Sequence, residues 1–122
     1  MAKVLLVDDE PDILESVKML IETMNHEVKV TDDGYEAIKM LKKEKFDLVL
    51  LDILMPKISG IVTLEKIRED NKIKNQKVVF LTVATLSQTG KEVVKKLHPD
   101  GYITKPIDNI AFKKNIKKLL GD

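Results

Sequence analysis

Cysteine is absent from this 122-residue chain, which excludes disulfides and thiolate metal sites. A surplus of charge is absent too: 21 Lys and Arg against 20 Asp and Glu leave a formal net charge of +1. That balance gives no whole-chain attraction to nucleic acid or to a membrane surface, so any strong field has to be local. No apolar run approaches the length needed to span a bilayer. The first apolar run follows a lone lysine and ends in acids, unlike a secretory leader, so a cytoplasmic location is expected. Linkers, low-complexity tracts and charge blocks are also missing. The expectation is one domain over residues 1–122 with nothing attached.

What is present is 43% hydrophobic and 34% charged residues, a globular balance, and its order carries a pattern. The stretches "KVLLVDD", "HEVKVTDD", "FDLVLLD", "QKVVFLT" and "DGYITKP" read as strands. Three are nearly continuous apolar runs, as expected where a parallel sheet is covered on both faces. Between them apolar residues recur at helical spacing. Ile13, Leu14, Val17, Leu20, Ile21 and Met24 follow Pro11, a favoured first-turn residue. Ala37, Ile38 and Leu41 form a second stripe, Ile61, Leu64 and Ile67 a third, and Val93, Val94 and Leu97 a fourth. Phe112, Ile116, Leu119 and Leu120 form the last, behind Asp108 as its expected N-cap. Repeated β-α units in a chain of this length predict a doubly wound α/β domain.

Ligands in such a fold bind at the carboxyl ends of the strands. The first strand delivers Asp8 and Asp9 there, the third Asp52, the fourth Thr82 and the fifth Lys105. Asp32 and Asp33 leave the second, an expected edge strand, and are read as caps of the next helix. Taken singly, an acid after a strand is more often a cap or turn residue, Lys105 a solvated lysine and Thr82 a strand-end hydroxyl. Their joint placement favours a site. Three carboxylates on adjacent strands repel one another unless a cation sits among them. Mg²⁺, or Mn²⁺ in its place, takes carboxylate and carbonyl oxygens, keeps waters and accepts phosphate ligands. A hydroxyl and an ammonium facing it are what phosphoryl oxygens need.

From "VLLVDDEP" through "DLVLLDILMPKISG" and "VVFLT" to "DGYITKP", the chain resembles the receiver domain of two-component response regulators. The resemblance covers essentially the whole chain and implies the CheY-like, flavodoxin-like (βα)5 fold, with a parallel sheet of order 2-1-3-4-5. It implies that Asp52 accepts a phosphoryl group from a phosphohistidine on a sensor histidine kinase. Asp9, Asp52 and the Leu54 carbonyl would ligate Mg²⁺, with Asp8 holding its waters. Thr82, Val83 and Lys105 would line the place of the phosphoryl group, Lys105 pairing with its oxygens. Pro106 would follow a cis peptide bond. Thr82 and Tyr102 match the family's switch pair, which would alter the face of the fourth helix, fifth strand and fifth helix for a downstream protein or an output domain not in this chain. Catalysis would extend only to the chain's own phosphorylation and dephosphorylation, with no direct binding of nucleic acid or membrane.

Some residues depart from the family pattern. Val83 stands where alanine or glycine is usual and would narrow access to Asp52. His98 and Pro99, in "LHPDGYITKP", replace small residues; His98 and His26 are read as ordinary loop residues. Leu54 and Ala84, two residues beyond the acceptor and two beyond the switch threonine, offer no hydrogen bond to an attacking water. Slow dephosphorylation is the expectation. "TGK" at Thr89–Lys91 lacks the spacing of a phosphate-binding loop. Lys113, Lys114, Lys117 and Lys118 are read as a solvated face, with a partner contact as the sharper alternative. Two rival functions remain. A phosphatase of the haloacid-dehalogenase type needs a second acid where Leu54 stands. A phosphorylation-independent receiver-fold module would need none of the five polar site residues, all of which are present.

Overall fold

Alternation along the central strands divides the interior into two halves. The computed structural model describes residues 1–82 and 88–121. In chain order it contains β1 (Lys3–Val7), α1 (Pro11–Glu22), β2 (Glu27–Thr31), α2 (Gly34–Lys43), β3 (Leu48–Leu51), α3 (Gly60–Glu69), β4 (Val78–Thr82), α4 (Gln88–Lys96), β5 (Gly101–Thr104) and α5 (Asn109–Leu120). All strand pairs are parallel, in the order β2-β1-β3-β4-β5 that the resemblance implied.

Successive strand residues point to opposite faces. Leu5, Val7, Val49, Leu51 and Phe80 therefore share one side, packed against Ala37 and Leu41 of α2, Leu64 and Ile67 of α3 and Val94 of α4. Val4, Leu6, Leu48, Leu50, Val79 and Leu81 share the other, against Val17 and Ile21 of α1 and Phe112 and Ile116 of α5. Both faces are covered, which is why Val4–Val7, Leu48–Leu51 and Val78–Leu81 are apolar throughout. Each such side chain removed from water contributes roughly 1.5–3 kcal/mol.

Helix starts follow the expected chemistry. Asp33 caps α2, its Oδ1 accepting from the Tyr35 N–H at 2.8 Å. Asp32 precedes the cap and does not serve as one. Asp108 caps α5 by accepting from the N–H groups of Ile110 (3.0 Å) and Ala111 (3.2 Å). The helix ends at Gly121, whose φ of 76° is the left-handed geometry glycine adopts freely. At the edge strand β2, Lys29 takes a core-facing register opposite Leu5 and reaches Glu44, which also pairs with Lys3. A charge carried on an edge strand discourages further strands from adding there.

Two contacts fix loops that the helical periodicity leaves open. Gly60, the first residue of α3, donates to the Ile53 carbonyl at 2.8 Å, and a Cβ there would overlap the Asp52 carbonyl. Near the other end of α3, the largely buried Arg68 guanidinium donates to the carbonyls of Leu97 (2.8 Å), Lys74 (2.9 Å), Gln76 (2.7 Å) and His98 (3.1 Å), with Asp100 3.7 Å away. His98 adopts a φ of 51° in that connection. His26 is buried, and its Nδ1 accepts from the Ala2 N–H at 3.0 Å. Among the described residues no helix is long and apolar enough to cross a membrane.

Candidate functional site

β1 and β3 lie side by side, and the chain leaving each one brings an acid to the same place. The Asp52 N–H extends the sheet ladder by donating to the Val7 carbonyl at 2.9 Å, so Asp52 is held beside Asp8. Asp8 is anchored in turn by its own N–H on the Thr31 carbonyl (3.2 Å) and by the Glu10 N–H on its Oδ1 (2.9 Å). Asp8 is fully buried and Asp52 is 3% exposed, whereas Asp9 and Glu10 face solvent. One carboxylate oxygen from each of Asp8, Asp9, Glu10 and Asp52 can be chosen so that all lie within 4.8 Å of one another.

Lys105 enters this cluster from the end of β5, followed by a cis peptide bond to Pro106. Its Nζ is 2.8 Å from Asp8 Oδ2, 3.2 Å from Glu10 Oε1 and 3.5 Å from Asp52 Oδ2. Burial pushes the Asp52 carboxyl up to about 6, with the neighbouring charge of Asp8 adding to the rise; Lys105 and the Leu54 N–H that bonds the carboxylate act against it. For Lys105 burial favours the neutral amine, but the carboxylates of Asp8, Glu10 and Asp52 outweigh burial and raise it above its ordinary value.

Asp8, Asp9, Asp52 and Lys105 thus converge as the sequence predicts. Leu54 is adjacent, its N–H on Asp52 and its side chain 61% exposed. Thr82 closes β4 opposite Thr104, while its side chain, together with Val83 and Ala84, lies outside the described residues. The Tyr102 ring is turned outward, 55% exposed, and stacks on Phe80 with centroids 6.0 Å apart. Sequence reasoning missed Glu10 as a contributor. The signal was present, as the third acid of the "DDE" run, but its contact with Lys105 spans 95 residues.

The donor set suits a hard divalent cation. It offers oxygen alone, and four carboxylates exceed the one ammonium among them. Oδ2 of Asp8 is buried and accepts no directed hydrogen bond even though Lys105 lies close, which leaves electron pairs for a cation. Mg²⁺ fits these residues.

A parallel sheet with a carboxylate cluster and a lysine at its carboxyl edge defines a doubly wound domain with an acidic site where such folds bind ligands. Residues 4–117 match the response regulator receiver domain, and the chain belongs to that family. It is a receiver domain and not a conventional enzyme. It is 36% identical over 120 residues to the transcriptional regulatory protein CpxR homolog of Haemophilus influenzae, covering 98% of this chain and 51% of that protein. It is 29% identical to Protein PilH of Pseudomonas aeruginosa, over 98% of both. The chain therefore spans about half of the first relative and nearly all of the second. Among solved structures it resembles the response regulator TrrA of Thermotoga maritima in complex with Mg(2+)-BeF, with 35% identity, a TM-score of 0.84 and coverage of 98% of this chain and all of that one.

Proposed function

We propose that this domain is a phosphorylation-dependent switch in which Asp52 takes a phosphoryl group from the phosphohistidine of a sensor histidine kinase. The observation that carries this reading is the placement of a nearly buried carboxylate, Asp52, between Asp8 and the Lys105 ammonium at the end of a central strand. A histidine kinase partner is implied by the family. That TrrA binds Mg(2+)-BeF supports a similar use of the matching residues here.

In the transfer, an Asp52 carboxylate oxygen forms the new bond to phosphorus while the bond from phosphorus to the histidine nitrogen breaks, its electron pair leaving with the imidazole. Asp9, Asp52 and the Leu54 carbonyl would hold Mg²⁺, with Asp8 orienting its waters, and the ion would supply neutralisation of charge on the phosphoryl oxygens. The nucleophile must be ionised, and a carboxyl that titrates near 6 is mostly so at neutral pH. Lys105 turns from its carboxylates to the phosphoryl oxygens, where positioning and charge supply most of the acceleration. By the family resemblance, Thr82 and Val83 would contact the phosphoryl group. The Thr82 hydroxyl then follows the new group, Tyr102 turns inward, and the α4-β5-α5 face changes for its downstream partner. Action in the cytoplasm, where such kinases expose their phosphohistidine, belongs to the same reading.

Incubation with acetyl phosphate and Mg²⁺, followed by intact-mass measurement, should show one phosphoryl group on the wild type and none on Asp52→Asn. Full labelling of the variant would move the acceptor elsewhere. No labelling of the wild type would favour the phosphorylation-independent module.

A further inference from the structure

Glu10 occupies the N-cap of α1 but does not cap it. Its backbone is extended, with φ −92° and ψ 112°, and its side chain makes no bond to the first helical amides. Serine, threonine, asparagine or aspartate would serve a helix start better. Pro11 lessens the need, since it has no N–H to satisfy. The side chain instead crosses the pocket to Lys105 at 3.2 Å, while the N–H of the same residue orients Asp8. One residue therefore touches both charged partners of the site.

An ammonium has three donors. Lys105 faces three carboxylates among the described residues, those of Asp8, Glu10 and Asp52. A phosphoryl oxygen on Asp52 draws the ammonium toward itself, so its contact with at least one of these carboxylates has to lengthen. Asp8 is fully buried, and leaving it without the lysine strands a charge away from water. Asp52 carries the incoming group itself. The Glu10 side chain is 58% exposed, and water can replace the lysine as it leaves. Glu10 is the partner that can yield.

We propose that Glu10 is a positioning residue that holds Lys105 in the unphosphorylated state and competes with the phosphoryl group for it. This rests on the phosphorylation of Asp52 proposed above. Replacing its charge while keeping its shape then frees the lysine and favours the phosphorylated form.

Two measurements on Glu10→Gln test this. With acetyl phosphate and saturating Mg²⁺, labelling should be about fivefold faster than in the wild type, the scale of one exposed ion pair. Saturating Mg²⁺ keeps metal occupancy out of the comparison, since Glu10 belongs to the same carboxylate cluster. The second measurement needs neither metal nor phosphate. Lys105 in the metal-free protein should react faster with an acetylating N-hydroxysuccinimide ester in Glu10→Gln, read by peptide mass spectrometry, and Glu10→Asp should fall between. Labelling no faster than in the wild type, or unchanged Lys105 acetylation, would each overturn the proposal. If the wild type takes no label while Lys105 acetylation still rises, the holding role stands and phosphorylation of Asp52 is what fails.

Discussion

Asp52 is an acid kept in a place that opposes its ionisation. Its carboxyl titrates near 6, raised by burial and by Asp8, whereas an unfolded aspartate titrates near 4. Between those values the native state binds more protons than the unfolded chain. Stability of the metal-free protein therefore falls as pH rises through about 4 to 6, and the loss is complete above that window. Asp52→Asn removes the ionisation and keeps the shape, although it also costs Lys105 a partner. We expect a gain of about 1–3 kcal/mol in metal-free stability at pH 7 and almost none below pH 4, by urea unfolding at both values. A variant no more stable than the wild type at pH 7 would contradict this. Leu54 bears on the lifetime of the phosphorylated form. Its exposed side chain beside Asp52 offers no hydrogen bond to a water, so Leu54→Asn should shorten the half-life about tenfold, the equivalent of 1.4 kcal/mol of barrier. Decay after removal of the phosphodonor measures it, and an unchanged half-life would exclude Leu54 from control of that water. At this scale the acids and Lys105 were legible because strand ends dictate where they emerge. The bond from Glu10 to Lys105 was not, since no local pattern encodes it.

At the scale of elements, periodicity and capping chemistry accounted for the helices. Pro11, Asp33 and Asp108 act where their chemistry placed them, and the apolar stripes face the sheet except at Val93 of α4, which is exposed. The Arg68 clamp is different. Five polar groups from two separate connections meet one guanidinium, and four of them are main-chain carbonyls, which any residue could supply. No residue type announces such a contact. It also accounts for how the "LHPD" segment is accommodated: the His98 carbonyl is tied down where the family usually has small residues. Arg68→Ala should leave several of these carbonyls unpaired and cost about 2–4 kcal/mol. Arg68→Lys should recover little of this, since an ammonium lacks the planar fork that reaches carbonyls on both sides. Urea midpoints decide it. Full recovery by lysine would show that charge alone, through Asp100, holds these connections.

For the molecule as a whole, the layering was readable because a sheet covered on both faces demands nearly uninterrupted apolar strands, and this chain has them at β1, β3 and β4, while the strand order came from the family resemblance. Charge was readable only as a total. A net charge of +1 conceals four acids gathered at one edge of the sheet. Mg²⁺ binding there to the native state alone should raise the Tm of the wild type, and raise that of Asp52→Asn much less.

The partition of the interior by its three central strands has a consequence for solvent isotope. Residues Val4–Val7, Leu48–Leu51 and Val78–Leu81 are essentially inaccessible on both faces and bonded on both edges. Their amides can meet deuterium only when the domain opens entirely, while those of the outer strands β2 and β5 have shorter routes. The strands that carry Asp8 and Asp52 are thus also the slowest clock in the protein. Deuterium uptake at Val7 and Leu51 should slow together when Mg²⁺ is added, by the factor that its binding adds to global stability. Each of those amides then reports, at a single position, what the cation does to the whole fold.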